Sequence, residues 1–143
     1  MIVLDTHVLI WMDADDAALG PQARARIEQA WRAGEVAVSA ISFWECAMLA
    51  DKGRIVLPLA VESWRASLLG AGLVEIALDG RIVLAATGFA DLHRDPAGRF
   101  IAATAGVRAL RLRCASAASS CLRVSRNFDF VPVAVLMVIP RSI

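Results

Sequence analysis

Residues 1–11 read Met1-Ile2-Val3-Leu4-Asp5-Thr6-His7-Val8-Leu9-Ile10-Trp11, and this opening decides the fold class. Ile2-Val3-Leu4 is a short apolar run ending on a carboxylate, the pattern of a buried parallel strand with Asp5 at its C-terminal tip. Val8, Leu9 and Trp11 continue into a short helix. The pattern recurs at Val36-Ala37-Val38-Ser39, a second strand with Ser39 and Ser42 as possible caps of the helix that follows. That helix runs from about Phe43 to Asp51 and stops at Lys52-Gly53.

Working outward, Gly20-Pro21 starts a helix reaching about Ala33, since proline suits the first helical turn. Ile55 to Pro58 reads as an extended link and Val61 to Ala71 as a helix with Trp64, Leu68 and Leu69 on one face. Leu73 to Leu78 is a third strand and Ile82 to Leu92 another helix. Asp95-Pro96 opens a helix through Phe100 to about Arg108, and Leu110-Arg111-Leu112 is the next strand. Strands separated by helices imply an α/β fold, a three-layer α/β/α sandwich with a central parallel sheet of four to five strands.

The 143 residues suffice for one domain with a real core. A hydrophobic fraction of 58% is high for that size: either the core is unusually large, or apolar surface is reserved for a partner. No membrane span explains it. The longest apolar stretch, Phe130 to Ile139, contains Pro132 and falls well short of the ~20 residues a spanning helix needs. The N-terminus has no basic start and carries Asp5 inside its apolar run, unlike a signal peptide. Cys46, Cys114 and Cys121 make an odd count with no C-x-x-C pair, which indicates neither a disulfide framework nor a zinc site and fits free thiols in a reducing cytoplasm.

The net charge of +1 hides an asymmetry. Residues 1–99 carry thirteen acids against nine Lys/Arg, whereas residues 100–143 carry only Asp129 against six arginines. After Leu112 the sequence changes character: Arg113 to Ser120 reads RCASAASS, helical periodicity weakens and acids nearly vanish. Residues 1–112 are therefore one domain. Residues 113–143 are a divergent C-terminal segment, the mark of a tail, a reading-frame change or an appended end. Its arginines make a basic face for RNA only if the segment is natural.

Open parallel sheets gather functional groups at the carboxyl ends of their strands. Asp5 stands there, Glu45 lies one turn into the helix after the second strand, and Asp95 opens the helix before the last strand. Three carboxylates from distant segments form a hard-oxygen nest suited to Mg²⁺ or Mn²⁺, ions that activate water and neutralise a phosphodiester. Each also has a plain structural use. Asp5 can cap the helix at Thr6, Glu45 can be a solvated face residue, and Asp95 before Pro96 is an ordinary helix start. His93 and Arg94 are either phosphate contacts or a solvated loop pair, and Arg99 either a phosphate contact or half of an ion pair. Trp11, Trp44 and Trp64 read as core or partner-groove residues.

Three segments, MIVLDTHVLIW, then SAISFWECAML followed by KGRIVLP, then LHRDPAGRFIAATA, resemble the PIN-domain family and its VapC-type toxin branch over residues 1–112 in order and spacing. The resemblance implies a PIN-like α/β/α fold and Mg²⁺-dependent endoribonuclease activity. It implies Asp5 and Glu45 as the first two acids, with the Thr6 hydroxyl beside the first. It also implies neutralisation by a VapB-type antitoxin whose C-terminal segment crosses the active-site groove. Two departures stand out. The branch reads D-P-A-D-R where this chain has Asp95-Pro96-Ala97-Gly98-Arg99, so the acid assigned to the metal site is Gly98 and Asp95 lies three residues earlier. The branch's fourth acid, in a T-x-D-like segment, has no counterpart in Leu112-Arg113-Cys114-Ala115-Ser116.

The sequence thus points to a cytoplasmic toxin of a toxin–antitoxin pair with impaired metal chemistry, handled as a homodimer or an antitoxin complex, with RNA as substrate. The alternative is a catalytically inactive module of the same fold that still binds the antitoxin and joins its repressor complex. A receiver-like signalling domain fits poorly, because it needs an acidic pair at the first strand and a late-strand lysine, and the only lysine is Lys52.

Overall fold

The alternating strand and helix signals resolve, in the computed structural model, into a parallel sheet with helices on both faces; residues 1–89, 96–107 and 135–136 are described. The elements are β1 (Ile2–Leu4), α1 (Thr6–Asp13), α2 (Pro21–Arg32), β2 (Val36–Ser39), α3 (Ile41–Asp51), α4 (Val61–Gly70), β3 (Val74–Ile76), α5 (Gly80–Thr87), α6 (Pro96–Val107) and β4 (Val135–Leu136). The strand order is β3-β2-β1-β4 and every pairing is parallel.

Side-chain alternation along the strands divides the core in two. Ile2 and Leu4 of β1 and Val36 and Val38 of β2 face one cluster, with Val8, Leu9, Ile27, Phe43, Cys46, Trp64 and Leu68 from α1 to α4. Val3 and Ala37 face the other, with Ile76, Ile82, Ile101 and Ala103, most of them from α5 and α6. Each fully buried branched aliphatic side chain contributes roughly 1.5–3 kcal/mol relative to exposure, so both helical layers are held firmly. Ile2↔Val36 and Leu4↔Val38 are in register, and a one-residue slip would drive each set into the wrong layer.

Polar tips of aromatic residues lock the first layer. Trp64 Nε1 donates to Asp13 Oδ2 at 2.7 Å, tying α4 to the end of α1, and Trp31 Nε1 donates to the Ala71 carbonyl at 2.7 Å. Phe43 meets Trp64 edge-on at 6.0 Å between centroids. The helix α2 starts at Pro21 as expected and ends through Gly34, whose φ of +67° lets the chain reverse into β2.

Several boundaries differ from the sequence expectation. The helix α3 begins at Ile41, because Ala40 rather than a serine takes its N-cap position. The helix α5 begins at Gly80, because the Asp79 side chain accepts from the Arg81 and Ile82 amides, and it closes at Thr87 ahead of Gly88. Of the residues read as core or partner groove, Trp64 is core and Trp44 is half exposed. The strand expected at Leu110-Arg111-Leu112 and the helix end expected at Leu92 lie outside the described residues. No helix among the described residues is long and apolar enough to cross a membrane.

Candidate active site at the carboxyl edge of the sheet

Two strand-to-helix corners build the site. At the first, β1 ends at Leu4, Asp5 keeps extended dihedrals (φ −70°, ψ 156°), and α1 starts at Thr6. Asp5 occupies the N-cap position, yet its side chain makes no capping hydrogen bond. A buried carboxylate that does not cap is left for other work, so the plain structural use of Asp5 is absent. Its described neighbour is His7, whose Nδ1 lies 3.6 Å from Asp5 Oδ2, with the imidazole tilted against Trp11 at 6.1 Å.

At the second corner β2 runs into α3. Leu4 pairs with Val38, so Asp5 and Ser39 follow their strands at the same level of the edge. Glu45 is half-buried in α3. The next residue, Cys46, is fully buried, and its thiol is pushed up to about 12, first by desolvation, then by the charges of Glu45 and Asp5. Both carboxylates thus bear on the same buried thiol. Among the described residues no three His, Cys, Asp or Glu side chains converge closely enough to hold a metal.

Hydroxyls surround the acids. Ser39 and Ser42, expected as caps, cap nothing. Ser39 Oγ pairs with Thr104 Oγ1 of α6 at 2.9 Å, whereas Ser42 Oγ and Thr6 Oγ1 are buried with no hydrogen-bond partner among the described residues. Gly98 and Ala97 are buried on the first turn of α6, and Arg99 beside them is half-buried and engaged in an interaction. Asp95 and Arg94 lie outside the described residues, as does His93. The structure therefore sets Asp5 and Thr6 at the first corner, Glu45 in α3 at the second and Arg99 on α6, with His7, Ser42 and Cys46 beside them on α1 and α3. Position carries the signal for these three: His7 falls in the first turn after Asp5, and Ser42 and Cys46 lie within one turn of Glu45. Nothing in their residue type alone marks them.

The oxygen-rich set of two carboxylates and free hydroxyls fits a hard divalent cation that keeps several of its waters. The PIN domain family profile matches residues 2–130. The chain is 38% identical to Ribonuclease VapC22 of Mycobacterium tuberculosis, over 73% of this chain and 78% of that protein. It is also similar to a solved toxin–antitoxin complex from Klebsiella pneumoniae, with a TM-score of 0.54 at 19% identity over 80% of this chain and 85% of that one. At that identity the second likeness speaks to the fold.

Proposed function

The chain belongs to the PIN-domain family, and on that premise we propose that it is a VapC-type ribonuclease toxin of a toxin–antitoxin pair with weakened catalytic chemistry. Asp5 and Glu45 hold a divalent cation, Mg²⁺ or Mn²⁺, with Asp95 as a third ligand. Thr6, Arg94 and Arg99 contact the RNA. The cation would supply an activated water and neutralise charge on the phosphodiester. The observation that carries this reading is Asp5: a buried carboxylate at a helix start that caps nothing and shares a buried thiol with Glu45.

Weakening follows from composition. Gly98 stands where the branch carries an acid, and the composition changes after Leu112, where residues 113–143 form the divergent segment. Fewer carboxylates lower both the charge and the ligand count of the site. The second reading, an inactive module that binds the antitoxin and joins its repressor complex, is favoured by the same Gly98. The partners proposed are a VapB-type antitoxin, RNA and a second copy, in the cytoplasm. Val56, Leu84 and Trp44, exposed at 95%, 73% and 50%, give such partners apolar surface to cover.

The test expresses the chain, Asp5→Asn, and a variant with Gly98→Asp and an acid restored after Leu112, then measures growth arrest and RNA cleavage with Mg²⁺. The restored variant should cleave at least ~100-fold faster, since a few kcal/mol of barrier is at stake at ~1.4 kcal/mol per tenfold. Asp5→Asn should be inert. Equal activity in the chain and the restored variant would remove the claim of weakening, and an active Asp5→Asn would remove the metal site. Cleavage by none of the three, with the antitoxin still bound, would favour the inactive module.

A further inference from the structure

We propose that Ser42, together with Thr6, holds the coordinated waters of a divalent cation bound by Asp5 and Glu45, which makes Ser42 a positioning residue of the site. The proposal rests on the assignment of Asp5 and Glu45 as ligands. Its starting point is the two buried hydroxyls that have no hydrogen-bond partner among the described residues.

A serine or threonine inside a helix normally satisfies its hydroxyl by donating back to the carbonyl four residues earlier. Thr104 does so, donating to the Phe100 carbonyl at 2.7 Å. Thr6 and Ser42 have no such partner, because each sits in the first turn of its helix. The residues four positions back, Ile2 and Val38, belong to β1 and β2. The corner geometry that brings the acids to the sheet edge therefore also leaves a hydroxyl unpaired at each corner.

Unsatisfied buried hydroxyls are uncommon in native proteins, because each forfeits its hydration. Here both are fully buried and both stand next to an acid: Thr6 follows Asp5, and Ser42 lies three residues before Glu45 on the same side of α3. Two carboxylates cannot fill the six positions of an octahedral cation, so waters take the remainder, and their protons need acceptors. A hydroxyl oxygen is such an acceptor. With glycine at position 98 instead of an acid, more of the coordination falls to water, and the hydroxyls that hold it carry more weight.

The experiment titrates Mn²⁺ into the whole chain, followed by electron paramagnetic resonance into the millimolar range. It compares wild type, Asp5→Asn, Ser42→Ala, Thr6→Val and Thr6→Ser, with metal-free melting temperatures recorded in chelator. Expected is no binding by Asp5→Asn, and Mn²⁺ affinity about tenfold weaker for Ser42→Ala and Thr6→Val, the scale of losses when a group holding the ligand set is removed. Thr6→Ser should stay within about twofold of wild type, and metal-free Ser42→Ala should melt no lower than wild type, having lost an unpaired group. Ser42→Ala binding like wild type while Asp5→Asn does not bind would overturn the inference and leave the ligands standing. A metal-free Ser42→Ala melting well below wild type would overturn it too, since the hydroxyl would then have a structural partner. Absence of binding by wild type, or equal binding by Asp5→Asn, would overturn the ligand assignment and the inference with it.

Discussion

Ser39 donates its hydroxyl proton to Thr104 across the buried junction of β2 and α6, and the direction is fixed. The oxygens are 2.9 Å apart, and Thr104 already spends its own proton on the Phe100 carbonyl. The bond anchors the helix that carries Gly98 and Arg99 to the strand end level with Asp5.

That direction makes the two partners unequal. Thr104→Val leaves the Ser39 donor buried without an acceptor and should cost ~1–3 kcal/mol, whereas Ser39→Ala removes the donor and should cost about 1 kcal/mol. The double variant should recover part of the Thr104→Val loss. Urea denaturation of the three settles it, and a Thr104→Val no less stable than Ser39→Ala would reverse the assigned direction.

The indole of Trp64, 2% exposed, depends on Asp13 for its only described hydrogen bond. Asp13→Ala should cost about 1–2 kcal/mol by orphaning a buried N–H, and Asp13→Asn, which keeps an acceptor, clearly less. Equal losses in thermal melts of the two would mean that charge, not acceptance, matters.

Asp79 gives a pH signature. The Ile82 amide foremost, with Arg81, holds its carboxyl below the ordinary value of 3.8, against some desolvation. The folded state thus favours the anion, and the resulting stability is present above 3.8 and lost as pH falls through the lowered folded value. Asp79→Ala should melt below wild type at neutral pH, with the gap closing in strong acid. A gap that stays constant across that range would exclude this cap as the cause.

Cys46, buried with its thiol pushed up to about 12, should resist labelling by a disulfide reagent at pH ~8 in the folded chain and react once unfolded. The measurement uses a Cys114→Ser, Cys121→Ser background, and fast labelling of the folded form would show that the thiol is reachable.

The two corners were legible because their cause is local: an apolar run of three or four residues ending on a polar one specifies a buried strand and its exit. Asp5 and Glu45 followed from that placement. Ser42 and Cys46 did not, since a serine in a first turn reads as a cap until the actual cap, Ala40, is seen. For Trp44 the sequence left core and partner groove open, since indole size alone does not say which way a helix position faces; it is half exposed. The start of α5 was missed because the Asp79-Gly80 turn chemistry outweighed the apolar periodicity that begins at Ile82.

Every described strand contact in this fold is remote along the chain. Ile2 pairs with Val36 and Ala37 with Val74, so each pairing closes a loop of more than thirty residues before it yields any stabilisation. High contact order of this kind makes folding slow and late-committing. Asp5 and Glu45, forty positions apart in the sequence, follow strands whose ends come level only when β1 pairs with β2. A nascent or partly opened chain therefore lacks the paired corners, and the carboxyl edge of the sheet arises only once that long loop has closed.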